Sequence, residues 1–384
     1  MGSKIPPREG RHEGLRARLY HFMDINMKKI MVAMSGGVDS SVAAALLLEE
    51  GYDVAGVTMC FELPPACAGG RPSCCGLESI EDARRVCRAL GVEHHVLNYG
   101  DMLETMVIAD FVSEYAQGRT PNPCVRCNRY LKFDRLFRDA LALGGTHLAT
   151  GHYVKNILHP GSGVYELRKA VDPRKDQSYF LYGIPREKLE FLLFPLGGYM
   201  KDEVRAHARR FNLPVAEKKE SQDICFVPDG KYQEFLARHG LGIDRPGDFV
   251  DQNGRVVGVH HGIWRYTIGQ REGLGIALGH PVYVNRIDPV ANTVHIGPQD
   301  RLLSQGLEAS GLNLLSGNFL QETIEASVKI RYNHHDVRAL VDFTGQDRVR
   351  VRFMESQKSV APGQSVVFYD GDLVLGGAVI DRAF

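Results

Sequence analysis

The stretch that decides the fold is Ser35-Gly36-Gly37-Val38-Asp39-Ser40-Ser41, set directly behind the apolar run Ile30-Met31-Val32-Ala33-Met34. A buried strand that breaks into two glycines and small hydroxyl residues, then enters a helical run over residues 42–50, is built to hold an anion. Glycine lets the backbone turn tightly and come close to a ligand. The free N–H groups and positive end of the following helix then face the ligand's charge. The Gly-Lys-Ser/Thr of a Walker A loop, which grips the β- and γ-phosphates, is missing.

Outward from the loop the pattern continues as strand–helix units. Residues 54–59 predict a second strand, 79–90 a helix with Ser79 as its N-cap, and 92–98 a third strand. Helical patterns follow over 103–116 and 129–143, the latter with Phe133, Leu136, Phe137, Ala140 and Leu141 on one face. Residues 146–150 make a further short strand that ends at Gly151-His152-Tyr153. Such alternation predicts an α/β fold, a doubly wound parallel sheet with ligands at the carboxyl ends of its strands. We assign residues 27–210 to this catalytic domain. Glycine-rich 211–280, which carries Cys225, is read as a small central domain. From Pro281 the strands alternate in polarity at 282–287, 293–296, 325–332, 337–343, 348–353, 365–369 and 373–380, with a hairpin signal at Asp370-Gly371. Strands of this kind make a small barrel or sandwich. We take 281–384 as an antiparallel β-barrel.

The chain has 384 residues, 44% hydrophobic and 24% charged, with a formal net charge of zero, so any nucleic-acid surface must be a local patch. No apolar stretch reaches membrane-spanning length, so no membrane partner is expected. Eight cysteines, clustered, suggest reduced thiols in the cytoplasm and not a disulfide scaffold. Residues 1–26 mix Arg8, Arg11, Arg16 and Arg18 with Glu9, Glu13 and Asp24 without apolar periodicity, and read as a disordered leader or a start assigned too early.

Asn122-Pro123-Cys124-Val125-Arg126-Cys127-Asn128 is the second informative site. Cys-x-x-Cys alone suits a redox dithiol, half a zinc site or part of an iron–sulfur site. Placed before a helix, with Arg126 and Arg129 close by, it is expected to have lowered thiol pKa values. A third cysteine of interest, Cys225, stands in Ser221-Gln222-Asp223-Ile224-Cys225-Phe226.

The glycine loop resembles the PP-loop of the N-type ATP pyrophosphatases, adenine nucleotide α-hydrolase-like domains that cleave ATP to AMP and pyrophosphate and leave an adenylated substrate. With the cysteines included, the chain from about residue 27 to 384 is similar to the tRNA-specific 2-thiouridylases. These bacterial enzymes place sulfur on C2 of the wobble uridine of certain tRNAs. The matching stretches are 33–41, 120–133, 149–153, 172–181, 220–226, 264–276 and 329–332, in the family's order.

The resemblance implies roles residue by residue. Ala33, Met34, Ser35, Gly36, Gly37, Val38, Asp39 and Ser40 would bind ATP phosphates, with Met59 and Gly151 on the nucleotide. Asn122, Pro123 and Cys124 fall at the target-base segment. Cys127 would be the nucleophile and Cys225 the residue that receives persulfide sulfur. His152, Lys175, Asp176, Gln177, Arg331, Tyr332 and Gln364 fall where the family touches tRNA. It further implies ATP with Mg²⁺ and a cytoplasmic enzyme, and Asp39 is expected to order either Mg²⁺ or loop donors around the pyrophosphate. Its partners would be tRNAs of the Lys, Glu and Gln type and a sulfur-donor protein or sulfide.

One departure matters. Many members of the family have Asp where this chain has Cys124. Three thiolates are also the ligand set of a [4Fe–4S] cluster with one open iron, so Cys124, Cys127 and Cys225 read either as cluster ligands or as a metal-free persulfide apparatus. Cys67, Cys74 and Cys75 lie in a Pro/Gly-rich loop that either makes an accessory metal or redox site or, the preferred reading, merely tolerates thiols, and Cys60 and Cys87 read as packing residues. In His260-His261, adjacent side chains on an extended segment point apart, which speaks against a ligand pair. Arg126, Arg129, Lys132, Arg135, Arg174, Lys175, Lys218 and Lys219 are the candidate basic patches, and Arg348, Arg350 and Arg352 share one strand face. Two rivals stand beside this reading. One is a PP-loop synthetase for a small carbonyl substrate, which would need no thiolates. The other is a non-catalytic RNA-binding protein on the same fold.

Overall fold

The computed structural model describes residues 28–61, 77–219, 224–227, 230–241, 245–317 and 323–384. The leader at 1–26, Cys67, Cys74, Cys75 and residues 220–223 lie outside the described residues.

The central strand β1 (Lys29–Ala33) has Ile30, Met31 and Val32 fully buried, as a strand covered on both faces must be. It pairs in parallel with β2 (Asp53–Cys60) on one side and β4 (His147–Thr150) on the other. The sheet is completed by β3 (Glu93–Asn98) and the two-residue β7 (Leu192–Leu193), in the order β3-β2-β1-β4-β7. Side chains alternate across it. Ile30 and Val32 face a core shared with α1 (Val38–Glu49), α2 (Leu77–Leu90) and α5 (Lys201–Arg210). Met31 faces the opposite core, built with α3 (residues 100–116) and α4 (residues 123–142). The expected doubly wound sheet is present, and its strand order reverses between β1 and β4, where ligands bind in such folds.

Two helix expectations need correction. Because α2 begins at Leu77, Ser79 stands within its first turn and is not the N-cap. Helix α4 begins at Pro123, six residues earlier than expected, and runs through wide i→i+5 turns over Cys127–Leu136. Phe133, Leu136, Phe137 and Ala140 are buried as predicted, but Leu141 falls beyond the edge of the buried stripe and is exposed.

After β4 the chain makes a hairpin of β5 (Lys155–Leu158) and β6 (Tyr165–Arg168), which joins the carboxyl-terminal sheet through Arg168 opposite Leu373. A short helix, α6 (Tyr232–Leu236), precedes a four-stranded sheet of β8 (Gly247–Val250), β9 (Val256–His260), β10 (Tyr283–Asp288) and β11 (Thr293–Gly297). The β10–β11 hairpin therefore pairs with the preceding strands, and its link to β8 is parallel. His260 is buried there as a structural residue, accepting from Gly262 N–H and lying 3.1 Å from the Asn292 carbonyl.

The remaining strands form a closed antiparallel barrel in the order β12-β15-β14-β13-β16-β17, with β12 (Leu303–Leu314) pairing back onto β17 (Leu373–Ala383). The others are β13 (Thr323–Lys329), β14 (Val337–Phe343), β15 (Arg348–Lys358) and β16 (Ser365–Asp370). In β15, Val349, Val351 and Phe353 point inward while Arg348, Arg350 and Arg352 share the solvent face, as alternation predicts. Closure removes the sheet edges that would otherwise need protection. Among the described residues no helix is long and apolar enough to cross a membrane.

Candidate active site

The glycine loop leaves β1 at the switch point and enters α1 through Gly37, which provides no side-chain cap. The hydroxyls of Ser40 and Ser41 both donate to the Gly37 carbonyl, at 3.3 and 2.7 Å, and Ser40 Oγ accepts from Ser35 N–H at 3.1 Å. The hydroxyls thus brace the loop from within, and the helix terminus keeps its positive end for a ligand. Gly36 adopts φ +68°, and a Cβ there would lie 2.1 Å from the Ser79 carbonyl oxygen. Gly151, at the end of β4, is constrained by space alone, because a Cβ would lie 2.6 Å from Ser40 N. Ala33, Met59 and Gly151 stand at the carboxyl ends of β1, β2 and β4, so the predicted nucleotide residues line one rim of the sheet.

Asp39 is held by two groups. Its Oδ1 accepts from Lys201 Nζ at 2.7 Å and from the Tyr153 hydroxyl at 2.7 Å. Lys201 is nearly fully buried, and its backbone N–H donates to the buried Asp172. A second lysine, Lys218, donates to the Gly36 carbonyl at 3.3 Å and pairs with the buried Asp82. Lys218 is therefore engaged with the loop, which corrects its assignment to an RNA-facing patch. Lys201, Tyr153 and Asp82 were not singled out in the sequence. A lysine opening an amphipathic helix reads as solvated, and only the tertiary fold turns Lys201 inward.

Asn122 caps α4, its Oδ1 accepting from Val125 N–H at 3.4 Å, with Pro123 at the first helical position. Cys124 and Cys127 therefore lie inside the first turns of the helix. Burial pushes both thiols up, although solvent still reaches Cys124, and the Lys132 ammonium opposes the shift. The expected lowering is not found, because desolvation outweighs the helix terminus and the neighbouring cation. Nor are the arginines the cations involved. Arg126 pairs with Asp110 at 3.0 Å, and Arg129 lies over the Tyr130 ring. Cys225 is exposed, and Phe226 beside it packs on Phe111 of α3 and Phe235 of α6, in the core that also buries Cys127. Among the described residues no three His, Cys, Asp or Glu side chains are grouped to hold a metal ion, so the three cysteines do not form a ligand set in this arrangement.

The residues expected at tRNA divide into two groups. Asp176 and Gln177 are engaged within the fold. Asp176 is buried, accepting from Ala170 N–H and the Ser178 hydroxyl, and Gln177 accepts from Tyr153 N–H at 3.0 Å. His152 lies 2.7 Å from Thr150 Oγ1 and against Phe133, and its burial, with Lys132 acting the same way, lowers its pKa well below the usual histidine range. The second group joins the barrel to the cysteine segment. Gln364 donates to the carbonyls of Thr120 and Pro121, just ahead of Asn122. Tyr332 packs on Phe180, whose carbonyl accepts from Asn128 beside Cys127. Arg331 donates to the Ile268 carbonyl at 3.0 Å and bridges barrel and central sheet. Lys175 is half-buried on the turn after Asp172.

A parallel sheet with an uncapped glycine loop at its switch point defines a nucleotide-binding α/β protein of the PP-loop class. Family profiles agree over nearly the whole chain. A tRNA methyl transferase HUP domain matches residues 28–229, a tRNA methyl transferase PRC-barrel domain 233–298 and an aminomethyltransferase β-barrel domain 304–380. The chain is 51% identical to tRNA-specific 2-thiouridylase MnmA of Carboxydothermus hydrogenoformans over 93% of its own length and 99% of that protein. With the enzyme of the same name from Geotalea uraniireducens it shares 49% identity over 93% and 96%. The chain belongs to the tRNA-specific 2-thiouridylase family. Among solved structures, the U34-tRNA thiolase NcsA of Methanococcus maripaludis with its [4Fe-4S] cluster is similar at 19% identity and a TM-score of 0.33, covering 59% of this chain and 72% of that one. A likeness this low carries no argument about the site.

Proposed function

We propose that the protein is an ATP-dependent tRNA 2-thiouridylase that converts the C2 carbonyl of a wobble uridine to a thiocarbonyl, releasing AMP and pyrophosphate. The observation that carries the reading is the braced, uncapped glycine loop at the switch point, combined with cysteines on a helix that shares a core with the neighbouring strands. A carbonyl oxygen is a poor leaving group. The uracil O2 is therefore first joined to the α-phosphorus of ATP, and pyrophosphate leaves into the loop, where helix N–H groups and Lys201 meet its charge. Because Lys201 sits 2.7 Å from Asp39, that carboxylate orders loop donors and does not form a ready cation site; Mg²⁺ would arrive on the nucleotide's own phosphates.

Sulfur then replaces the adenylyl group. The terminal sulfur of a Cys225 persulfide attacks C2, and AMP departs with the C–O electron pair. The Cys127 thiolate attacks Cys225 Sγ, which releases 2-thiouridine and leaves a Cys127–Cys225 disulfide for an external thiol to reduce. The absence of a three-donor group among the described residues favours this metal-free route, whereas the Cys124-x-x-Cys127 spacing favours the cluster alternative. The substrates are tRNAs of the Lys, Glu and Gln type; on the persulfide route sulfur comes from the persulfide of a donor protein, and on the cluster alternative it comes as sulfide; the reduced cysteines fit a cytoplasmic setting.

The test is pyrophosphate release with and without tRNA, alongside 2-thiouridine formation and iron analysis after anaerobic purification. Tight tRNA dependence is expected; release without tRNA points to a small-molecule synthetase, and no release at all to a binding protein. On the persulfide route Cys124→Asp retains activity within about tenfold, since no sulfur passes through that position. Parallel loss of iron and thiolation in Cys124→Asp would establish the cluster instead.

A further inference from the structure

Helix α4 carries Arg126, Arg129, Lys132, Arg135 and Arg138 in thirteen residues, and most of this charge is neutralised locally. Arg126 pairs with Asp110, Arg135 with Asp139 and Arg138 with Asp134, while Arg129 lies over Tyr130. Lys132 differs. It is half-buried, and among the described residues no carboxylate pairs with its ammonium. A half-buried cation without a counter-ion costs free energy unless a ligand supplies one.

The helix geometry says where that ligand sits. Positions five apart in an α-helix stand roughly 140° apart, so a regular helix would turn Lys132 away from Cys127. The i→i+5 turns that begin at Cys127 instead narrow that angle and bring the two residues toward one side of the helix. The next residue, Phe133, packs against His152 with ring centroids 5.8 Å apart, and Gly151 beside it lies against the first turn of α1. Lys132 thus neighbours the residue that joins α4 to His152 and, through Gly151, to the first turn of α1. The influence of its charge on Cys124, Cys127 and His152 agrees with that position.

If the chain is a 2-thiouridylase, as proposed above, one anion must form between the phosphate loop and the cysteine. We propose that Lys132 is a catalytic residue that holds the adenylyl phosphate of the activated uridine and neutralises the charge that phosphate gains when sulfur displaces it. In that step the C2–S bond forms with an electron pair from sulfur, and the C2–O bond breaks with its pair going to the phosphate oxygen. The phosphate therefore passes from a singly charged ester to AMP with one further negative charge. Lys132 meets that charge, while Lys201 and the glycine loop hold the pyrophosphate released earlier.

The experiment compares the full-length wild type with Lys132→Met and Lys132→Arg, using transcribed substrate tRNA, ATP and cysteine persulfide as the sulfur source, with and without added inorganic sulfide. Pyrophosphate released in the first turnover, 2-thiouridine formed and tRNA affinity are measured separately. Lys132→Met should keep first-turnover pyrophosphate release within about threefold and tRNA affinity nearly unchanged, while 2-thiouridine formation falls roughly a hundredfold. Lys132→Arg should recover most of the loss. Because the action is on the leaving group, sulfide should not rescue Lys132→Met. Rescue by sulfide would move the role to the cysteines and overturn the proposal. So would a matching fall in tRNA affinity, a matching fall in pyrophosphate release, or no effect. Melting temperature checks folding, and Lys132→Gln replaces Lys132→Met if the latter is unstable. A wild type whose pyrophosphate release ignores tRNA would refute the functional reading itself, a result separate from any variant's.

Discussion

The phosphate loop and the cysteine helix are both helix N-termini, yet they handle charge in opposite ways. At the loop, α1 has no side-chain cap, hydroxyls brace the backbone from within, and Lys201 and Lys218 stand beside it. At α4, Asn122 and Pro123 satisfy the terminus, and burial holds Cys127 toward the protonated thiol. The first site is organised for an anion before the ligand arrives. The second holds its thiol subdued in a core and, on the proposed mechanism, draws on the charge of Lys132. Charge is thus stored in the backbone at one helix terminus and withheld at the other.

Disabling each helix terminus separately gives the largest expected effects. Asp39→Ala removes the partner of Lys201 and Tyr153, and should abolish tRNA-dependent pyrophosphate release while leaving tRNA affinity nearly intact. Cys127→Ala should do the reverse, with pyrophosphate release preserved in a first turnover and 2-thiouridine formation reduced more than roughly a thousandfold. If both variants lost both steps equally, the two ends would be one site and the contrast would fail.

A smaller effect tests whether the loop's backbone carries its function. Gly36→Ala forces a Cβ to within 2.1 Å of the Ser79 carbonyl oxygen at φ +68°. We expect a loss of about 1–3 kcal/mol in unfolding free energy, together with a raised KM for ATP. Gly51→Ala, at φ +91° with open space around it, controls for backbone strain alone. Equal ATP kinetics in the two variants would show that the close approach to α2 is irrelevant to the nucleotide.

The same contrast separates what consecutive residues encode from what only the tertiary fold creates. The loop, the parallel sheet and the barrel strands 337–343 and 365–369 rest on local pattern, because glycine placement and period-two alternation are written in consecutive residues. Strand β12 was missed because its LSQGLEASGLNL run carries glycines and serines with little alternation, and it is ordered by pairing with both β15 and β17. Lys201, Tyr153 and the clasp of Gln364 on Thr120 depend on contacts between distant segments, to which periodicity is blind. The wide turns of α4 were equally hidden, since no residue type announces an i→i+5 bond. The thiol expectation failed for a related reason. A helix terminus is visible in sequence, but the burial that outweighs it is not.

A gentler perturbation concerns tRNA binding. The chain has no net charge, so affinity must come from patches and should fall with added salt. Lys175→Ala should weaken all substrate tRNAs alike, by a few-fold, and reduce the slope of log affinity against log salt by about one. Arg331→Ala removes a bridge to the Ile268 carbonyl between barrel and central sheet, and should cost stability as well as affinity. Salt-independent binding would mean that these residues are ordinary surface.

The smallest expected effect is on acid stability, and it isolates the junction between the two ends. His152 lies against Phe133 and beside Thr150, and its pKa is held well below the usual value by burial first and by Lys132 second. Above about pH 6.5 the ring is neutral in both folded and unfolded chains, so it adds no pH dependence. Below that value the unfolded chain takes up a proton that the folded one refuses. Stability then falls as pH falls, by at most about 1.4 kcal/mol per unit from this group, until the folded pKa is reached. His94, His147, His260 and His295 are shifted in the same direction, so the wild-type slope is a sum over several rings. The measurement is therefore a difference: unfolding free energy of wild type and His152→Gln between pH 7 and pH 5. The variant should show the shallower decline, and parallel curves would mean that His152 is solvated and that its contact with Phe133 is open to water.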